Sequence, residues 1–300
     1  MEASQATTVV APAQTGWRQV VADYVALTKP KVQSLLLLTT VCTMEIAGDP
    51  SLGLIALTVV GGYLSAGGAG AVNHWYDRDI DALMPRTANR PVPAGRVSPR
   101  AALIYGVVLA ALSFVLMTAT INVLAASLAL VGFLGYVFVY TVWLKRRTPQ
   151  NIVIGGAAGA IPPLVGWAAV TGGLGGMPLY LFAVVFFWTP PHFWALSLLM
   201  KKEYERVGVP MLPVVRGEQE TRKQILLYAI LLWAVTQLPF CAGGLGTLYL
   251  VSSLVLGGLF IGGAVVLYRR ADRRSALRLY LFSLAYLALL FGAMVLDVKL

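Results

Sequence analysis

The chain has 300 residues, of which 58% are hydrophobic and only 12% are charged. Soluble domains carry about 25% charged residues, so this composition excludes an ordinary soluble domain. Apolar runs of about 20 residues recur, which is the length of helix that crosses a bilayer. We therefore predict an all-α, polytopic membrane protein that lies in the lipid bilayer as a multi-pass protein.

The apolar runs predict nine membrane-spanning helices around a central cavity. The runs do not alternate as strands do, and only closed barrels cross lipid as sheet. Residues 1–22 are predicted to be a disordered arm, since their beginning is polar and rich in Ala, Thr and Pro. Residues 23–300 are predicted to form one domain. The predicted spans are residues 32–48, 52–74, 101–119, 121–143, 152–171, 178–200, 223–242, 247–268 and 277–296.

The distribution of basic residues indicates how the chain is oriented. Of the 23 Lys and Arg residues, 22 lie in the N-terminal arm or in the even-numbered connections between spans, and Lys299 is the exception. The positive-inside rule then places the N-terminus in the cytoplasm. Because the net charge of +10 is explained by this topology, we do not expect a nucleic-acid partner.

Prolines interrupt two of the predicted spans. Pro162 and Pro163 are expected to break span 5, because proline lacks the N–H that a helix needs. Pro190 and Pro191 stand in span 6 directly before His192. An ionisable residue within a bilayer often faces a cavity and is functional. The alternative is a neutral histidine hydrogen-bonded to a carbonyl freed by the kink.

The most informative stretch is NHWYDRDIDALMPRTANR, residues 73–90, at the end of span 2. Asn73, Asp77 and Asp81 are spaced four residues apart, which places them on one side of a helix. Carboxylates held this close repel one another unless a cation lies between them. Oxygen ligands of this kind suit Mg²⁺, which takes one or two carboxylates together with substrate phosphates. The alternative is a polar loop whose charges are solvated.

Cations near this motif could hold the phosphate groups of a ligand. Arg86 and Arg90 follow the motif in the same connection, and Lys145 and Arg146 lie in the next basic connection. The third basic connection, after span 6, contains KKEYERV and lies on the same side of the membrane. A weak internal repeat suggests that it faces the first, so that Glu203 contributes to metal binding.

Three segments together resemble one family. They are NHWYDRDID with RTANRP, LKRRTPQNIVIGGAAGAIPPLVGW, and WTPPHFWALSL with YERVGVPMLPVV. They are similar to the protohaem IX farnesyltransferases, a branch of the intramembrane aromatic prenyltransferase superfamily. The similarity covers most of residues 23–240.

The resemblance implies an enzyme that transfers the farnesyl group of farnesyl diphosphate to a vinyl group of haem B, with addition of water, to give haem O. It implies Mg²⁺ as cofactor, location in the cell membrane and a role in haem biosynthesis, where a haem A synthase is the partner protein to consider. Asn73, Asp77 and Asp81 match the metal–diphosphate motif and are the expected catalytic residues. The residues expected to bind diphosphate are Arg86, Arg90, Lys145, Arg146 and Asn151.

The match departs from the superfamily at the second motif, where paired aspartates are expected. Here Glu203 is followed four residues later by Val207, so Glu203 alone, or the diphosphate itself, is left to complete the metal site. His192 either ligates the haem iron or shapes the haem pocket. Two other functions stay open: a related prenyltransferase with a quinone-precursor or chlorophyll-type acceptor, and a transporter whose carboxylates bind a cation.

Overall fold

A computed structural model describes residues 16–300 of the chain, and within them it contains helices and no strand. The helices, in chain order, are α1 Trp17–Leu27, α2 Pro30–Ala47, α3 Leu52–Tyr76, α4 Arg78–Leu83, α5 Pro99–Thr120, α6 Val123–Leu134, α7 Asn151–Gly159, α8 Ile161–Thr171, α9 Gly176–Leu199, α10 Lys201–Arg206, α11 Leu212–Val215, α12 Gly217–Val235, α13 Leu238–Cys241, α14 Thr247–Arg270 and α15 Arg273–Lys299. Helix α6 continues as a π-helix, Gly135–Leu144.

Helices occupy all nine of the predicted spans. Eight helical segments of the described chain are long and apolar enough to cross a membrane, so the all-α, multi-pass architecture is confirmed. Helix α2, with 18 residues, is not one of those eight, although it packs against α3, α8 and α15 within the bundle. The count of nine crossings and the cytoplasmic N-terminus therefore stay predictions.

The boundary of the N-terminal arm differs from the prediction. Residues 1–15 lie outside the described residues, but residues 17–22 belong to helix α1 rather than to a disordered arm. The helix is amphipathic. Trp17 and Val21 are exposed, whereas Leu27 is buried, and Asp23 accepts hydrogen bonds from Arg96 at 3.0 and 3.1 Å. Burial of this face and the ion pair to the loop after α4 stabilise the helix. Both are tertiary contacts, so local composition alone does not predict them.

The two proline pairs act differently. Pro162 and Pro163 stand in the first turn of α8, after a break at Ala160, as predicted. Pro190 and Pro191 lie inside α9, which is continuous from Gly176 to Leu199. Packing of α9 against α12 and α15 on its flanks holds this helix together despite the two missing N–H groups.

Helices α3 and α5 approach each other through glycine. A Cβ atom added at Gly106 would lie 2.7 Å from the Gly68 carbonyl oxygen and 2.7 Å from Val72 Cγ2. Such a close backbone approach needs residues without side chains, as is common between membrane helices. The contact fixes the last turns of α3, which end in the motif that begins at Asn73.

The first and third basic connections meet on one side of the bundle. Ile80 and Met84 of the first pack with Met200, Tyr204 and Met211 of the third in one buried apolar cluster. The expectation that these two connections lie against each other is confirmed by this packing.

Replacing Gly106 by valine tests the α3–α5 contact. The added methyl groups would overlap backbone atoms of α3, so we expect a loss of about 2 kcal/mol in stability. The matched control is Gly262→Ala in α14, where an added Cβ meets nothing within 4 Å. Thermal unfolding in detergent should show a lower midpoint for the α5 variant only. Equal midpoints for the two variants would show that this approach is not tight.

Candidate metal and diphosphate site

The predicted motif keeps helical spacing across a junction between two helices. Asn73 lies in the last turn of α3, Asp77 caps that helix, and Asp81 lies in α4. The backbone N–H of Asp77 donates to the Asn73 carbonyl at 2.9 Å, and that of Asp81 donates to the Asp77 carbonyl at 2.8 Å. The three side chains are therefore on one side of the chain, and their exposed fractions are only 3%, 0% and 3%.

Asn73 is held by three polar neighbours. Its amide nitrogen donates to Asp77 Oδ2 at 2.7 Å and to Thr141 Oγ1 at 3.2 Å. Its amide oxygen accepts from Lys29 Nζ at 2.6 Å. Thr141 belongs to the π-helical part of α6, a conformation that is frequent at functional sites. Asn73 thus connects the end of α3 with the start of α2 and with the π-helical part of α6.

Three cations neutralise the acidic residues of the motif. Arg146 binds Asp79 through two contacts of 2.6 and 2.7 Å and reaches Asp77 at 3.3 Å. Lys145 Nζ donates to Asp77 Oδ2, and Arg90 donates to Asp81 Oδ2 at 2.6 Å. The prediction that Arg90, Lys145 and Arg146 lie beside the motif is supported by this geometry.

The cations also repel one another. Burial, followed by the positive charges of Arg90 and Lys145, lowers the pKa of Lys29 to about 7. At the solvent-exposed edge, the hydrogen bond from Arg146 lowers the pKa of Asp79 to about 2. The backbone of Lys29 has a φ of 55°, which costs energy for a residue with a side chain. An anion bound near Lys29 would relieve its electrostatic repulsion.

The other three predicted residues, Asn151, Glu203 and Arg86, form no hydrogen bond or ion pair with the carboxylates of the motif in the described part of the chain. Asn151, the buried first residue of α7, donates to the Lys145 carbonyl at 3.3 Å, so it positions the lysine loop. Glu203 lies in α10 with a buried carboxylate oxygen that has no hydrogen-bond partner within residues 16–300. Burial raises the pKa of the neighbouring Tyr204. Arg86 forms no ion pair with any residue that the structure describes.

The donor set fits a hard divalent cation that is shared with a ligand. Within residues 16–300, no three His, Cys, Asp or Glu side chains converge on one point. Asn73, Asp77 and Asp81 supply only oxygen donors on one side of the chain. Because two carboxylates and one amide do not complete an octahedron, the other ligands of Mg²⁺ would have to be phosphate and water oxygens.

His192 lies in another part of the bundle, between α9 and α15. Its ring is stacked on Trp188 at 4.3 Å, and Nδ1 is 2.6 Å from the Ser283 hydroxyl. The alternative of a bond to a kink carbonyl is thus wrong. The structure does not bring His192 into the group of charged residues around Asp77.

Sequence reasoning missed three residues of the site. Lys29, Thr141 and His74 were not assigned to it, and the side chain of His74 is only 2% exposed. The position of His74 beside Asn73 was the only local signal. Lys29 and Thr141 reach Asn73 from segments 44 and 68 residues away, which no local pattern shows.

Comparison with known sequences identifies relatives over nearly the whole chain. The UbiA prenyltransferase family matches residues 35–290. A protoheme IX farnesyltransferase from Symbiobacterium thermophilum is 56% identical, over 93% of this chain and 95% of that protein. One from Chloroflexus aurantiacus is 55% identical, over 95% of this chain but 49% of that protein. The chain spans about half the length of several of the relatives that it matches.

Solved structures share the fold at low sequence identity. A digeranylgeranylglyceryl phosphate synthase has a TM-score of 0.77 and 19% identity, covering 94% of this chain and 100% of that one. A UbiA homologue from Archaeoglobus fulgidus bound to GPP and Mg²⁺ has a TM-score of 0.66 and 17% identity, covering 91% and 99%. At this identity, the likeness establishes the fold alone.

Removal of Lys145 tests whether the buried Asp77 carboxylate depends on its cation. We expect Lys145→Gln to lower stability by about 3 kcal/mol, because it leaves a buried charge with fewer partners. Arg147→Gln is the matched control, since Arg147 belongs to the same basic cluster but is exposed. Thermal unfolding without ligand measures both. The double variant Lys145→Gln/Asp77→Asn should recover most of the loss, and a failure to recover would contradict this interpretation.

Proposed function

The chain belongs to the UbiA prenyltransferase family, and from this premise we propose that it transfers the farnesyl group of farnesyl diphosphate to a vinyl group of haem B. In this reaction the C–O bond to diphosphate breaks and a C–C bond to the terminal vinyl carbon forms. Water adds its oxygen to the other vinyl carbon and loses a proton. The products are haem O and diphosphate.

Two kinds of observation support this function over others in the family. Several relatives that are at least 50% identical over more than nine-tenths of the chain carry the name protoheme IX farnesyltransferase. The site itself supports a diphosphate donor. The observation that carries the proposal is the buried, cation-paired carboxylate of Asp77. Such a site places a carboxylate that can bind a metal in direct contact with cations that can bind phosphate.

We propose that Asn73, Asp77 and Asp81 hold Mg²⁺, with Glu203 on the facing loop as a further ligand. When bound, Mg²⁺ neutralises charge that develops on the leaving diphosphate. Arg86, Arg90, Lys145 and Arg146 would bind the diphosphate oxygens as charge-assisted donors. Asn151 acts on this set indirectly, by fixing the Lys145 loop.

The same cations have two sets of partners in this proposal. Without ligand, Lys145, Arg146 and Arg90 bind the carboxylates of the motif. When a diphosphate enters, these side chains turn to its oxygens, and the carboxylates become free for the metal. Little net charge is then buried at either stage, which keeps the desolvation cost low.

Aromatic side chains lie where an allylic cation would need shelter. The ring centroids of Tyr136 and Tyr140 lie 5.3 Å apart, with the rings tilted by 36°, in the π-helical stretch that contains Thr141. Tyr140 and Phe193 pack on the apolar cluster that joins the two charged loops. Their faces can stabilise positive charge, and the apolar surroundings keep water away until the C–C bond has formed.

The proposal extends to the setting of the enzyme. Nine crossings with a cytoplasmic N-terminus would place the charged loops and the diphosphate site on the cytoplasmic side of the cell membrane. Haem O would then pass to a haem A synthase. His192 is proposed to contact the haem, either as an iron ligand or as a wall of its pocket.

Product analysis tests the function directly. The purified chain with farnesyl diphosphate, haem B and Mg²⁺ should give a hydroxyethylfarnesyl haem, identified by mass, together with one diphosphate per product. Prenylation of a phenolic acid instead of haem would favour a different acceptor within the family.

Asp77→Asn should lower turnover at least a hundredfold, because it removes one metal-ligand charge. Membrane insertion and yield should persist, because the amide keeps the shape of the side chain and can still accept hydrogen bonds. Chelation of divalent ions should stop the wild type in the same assay. Full turnover of the variant at limiting Mg²⁺ would contradict the proposed metal role.

A further inference from the structure

A cavity of about 300 Å³ opens beside the motif, on the side that faces α1. We call it the basic cavity. The residues that line it come from the end of α1, the start of α2, α3 and the loop after α4. They are Ala26, Lys29, His74, Arg86, Asn89, Arg90, Pro91 and Arg96. Lys145 and Arg146 do not line the basic cavity, whereas Arg86 and Arg90, which the proposed function assigns to the diphosphate, do.

The charge of the basic cavity is strongly positive. Four of its eight lining residues are Lys or Arg, and none is Asp or Glu. Arg86 has no ion pair within the described part of the chain, and Arg96 uses its Nε on Asp23 at 3.0 Å. Lys29 donates to Asn73, and Arg90 forms an ion pair with Asp81. Because the nearby acids do not balance these cations, the basic cavity is suited to a multivalent anion.

His74 provides an independent sign of a ligand. Its side chain is 2% exposed, and neither ring nitrogen has a hydrogen-bond partner among residues 16–300. A buried polar group without a partner is costly in a folded protein. His74 lines the basic cavity, so a group bound there is the partner available to it.

The balance of charge decides which anion fits. The motif offers Asp77, Asp79 and Asp81, which suits a diphosphate that arrives with Mg²⁺. The basic cavity has no carboxylate with which to bind that metal, so it suits an anion that carries no metal. Arginine forks bind carboxylates with good geometry. The cavity volume of about 300 Å³ is small for a whole tetrapyrrole, which means that only a polar end of such a molecule would enter.

We propose that the basic cavity binds the two propionate carboxylates of the haem acceptor, with Lys29, His74 and Arg96 as donors that the diphosphate does not use. This inference rests on the proposed function. It assigns the propionates to Lys29, His74 and Arg96 on the α1 side of the basic cavity, whereas Arg86 and Arg90 at its other side, together with Lys145 and Arg146, bind the diphosphate. The vinyl groups lie on the pyrrole rings that carry no propionate, so they remain free to meet the prenyl chain.

Haem binding can be measured without turnover. The purified full chain is titrated with haem B or with its dimethyl ester, in which both propionates are neutral, and the Soret band is followed. Wild-type protein should bind haem B at least tenfold more tightly than the ester. Equal affinities for the two would overturn the inference and leave the proposed function intact, whereas no binding of either would contradict both.

Two variants locate the effect. His74→Phe removes a side chain that makes no hydrogen bond within the described residues, and Asp23→Asn/Arg96→Gln removes an ion pair as a unit. Each should weaken haem B binding about fivefold or more and leave the ester unchanged. Arg100→Gln changes an exposed basic residue in the first turn of α5, outside the cavity, and should change neither affinity. If the variants weaken both haem forms equally, or if inorganic diphosphate with Mg²⁺ displaces haem B, the assignment of the cavity is wrong.

Discussion

The structure depends on one buried carboxylate. Asp77 has an exposed fraction of 0%, and an ionised group at such a position costs several kcal/mol unless partners surround it. Its partners are Asn73, one turn earlier at the end of α3, and the adjacent Lys145 and Arg146, which follow the π-helical end of α6. These contacts join the end of α3 to the connection that follows α6. In the proposed function, the same atoms bind the metal and the diphosphate.

Two regions of opposite charge balance lie on either side of this carboxylate. On one side, Asp77 and Asp79 bind Lys145 and Arg146, and a metal-bearing anion fits. On the other side, Lys29, His74 and three arginines line a cavity without acids, and a metal-free anion fits. Lys29 and Arg90 contact both regions. Occupation of one region therefore changes the electrostatic surroundings of the other, which gives a physical reason for two substrates to meet here.

Local sequence was sufficient for features that depend on local physics. Apolar length predicted the position of all nine helical segments, and spacing of four residues predicted that Asn73, Asp77 and Asp81 share one side. It was insufficient where tertiary contacts decide. Packing keeps α9 continuous through Pro190 and Pro191. The burial of His74 and the reach of Lys29 to Asn73 depend on contacts with α1, α2 and the loop after α4. The π-helical stretch around Thr141 has no separate sequence signal, because its apolar residues fit an α-helix equally well.

The central claim is that the carboxylates of Asp77 and Asp81 exchange protein cations for a divalent metal only when a diphosphate is present. Manganese can stand in for Mg²⁺, and its electron paramagnetic resonance signal reports binding to the protein. The affinity of the protein for Mn²⁺ should increase at least tenfold when inorganic diphosphate is added, after correction for the Mn²⁺–diphosphate complex that stays free in solution. This increase should vanish in Asp77→Asn. Equal Mn²⁺ affinity with and without diphosphate, or an increase that survives in Asp77→Asn, would contradict the account.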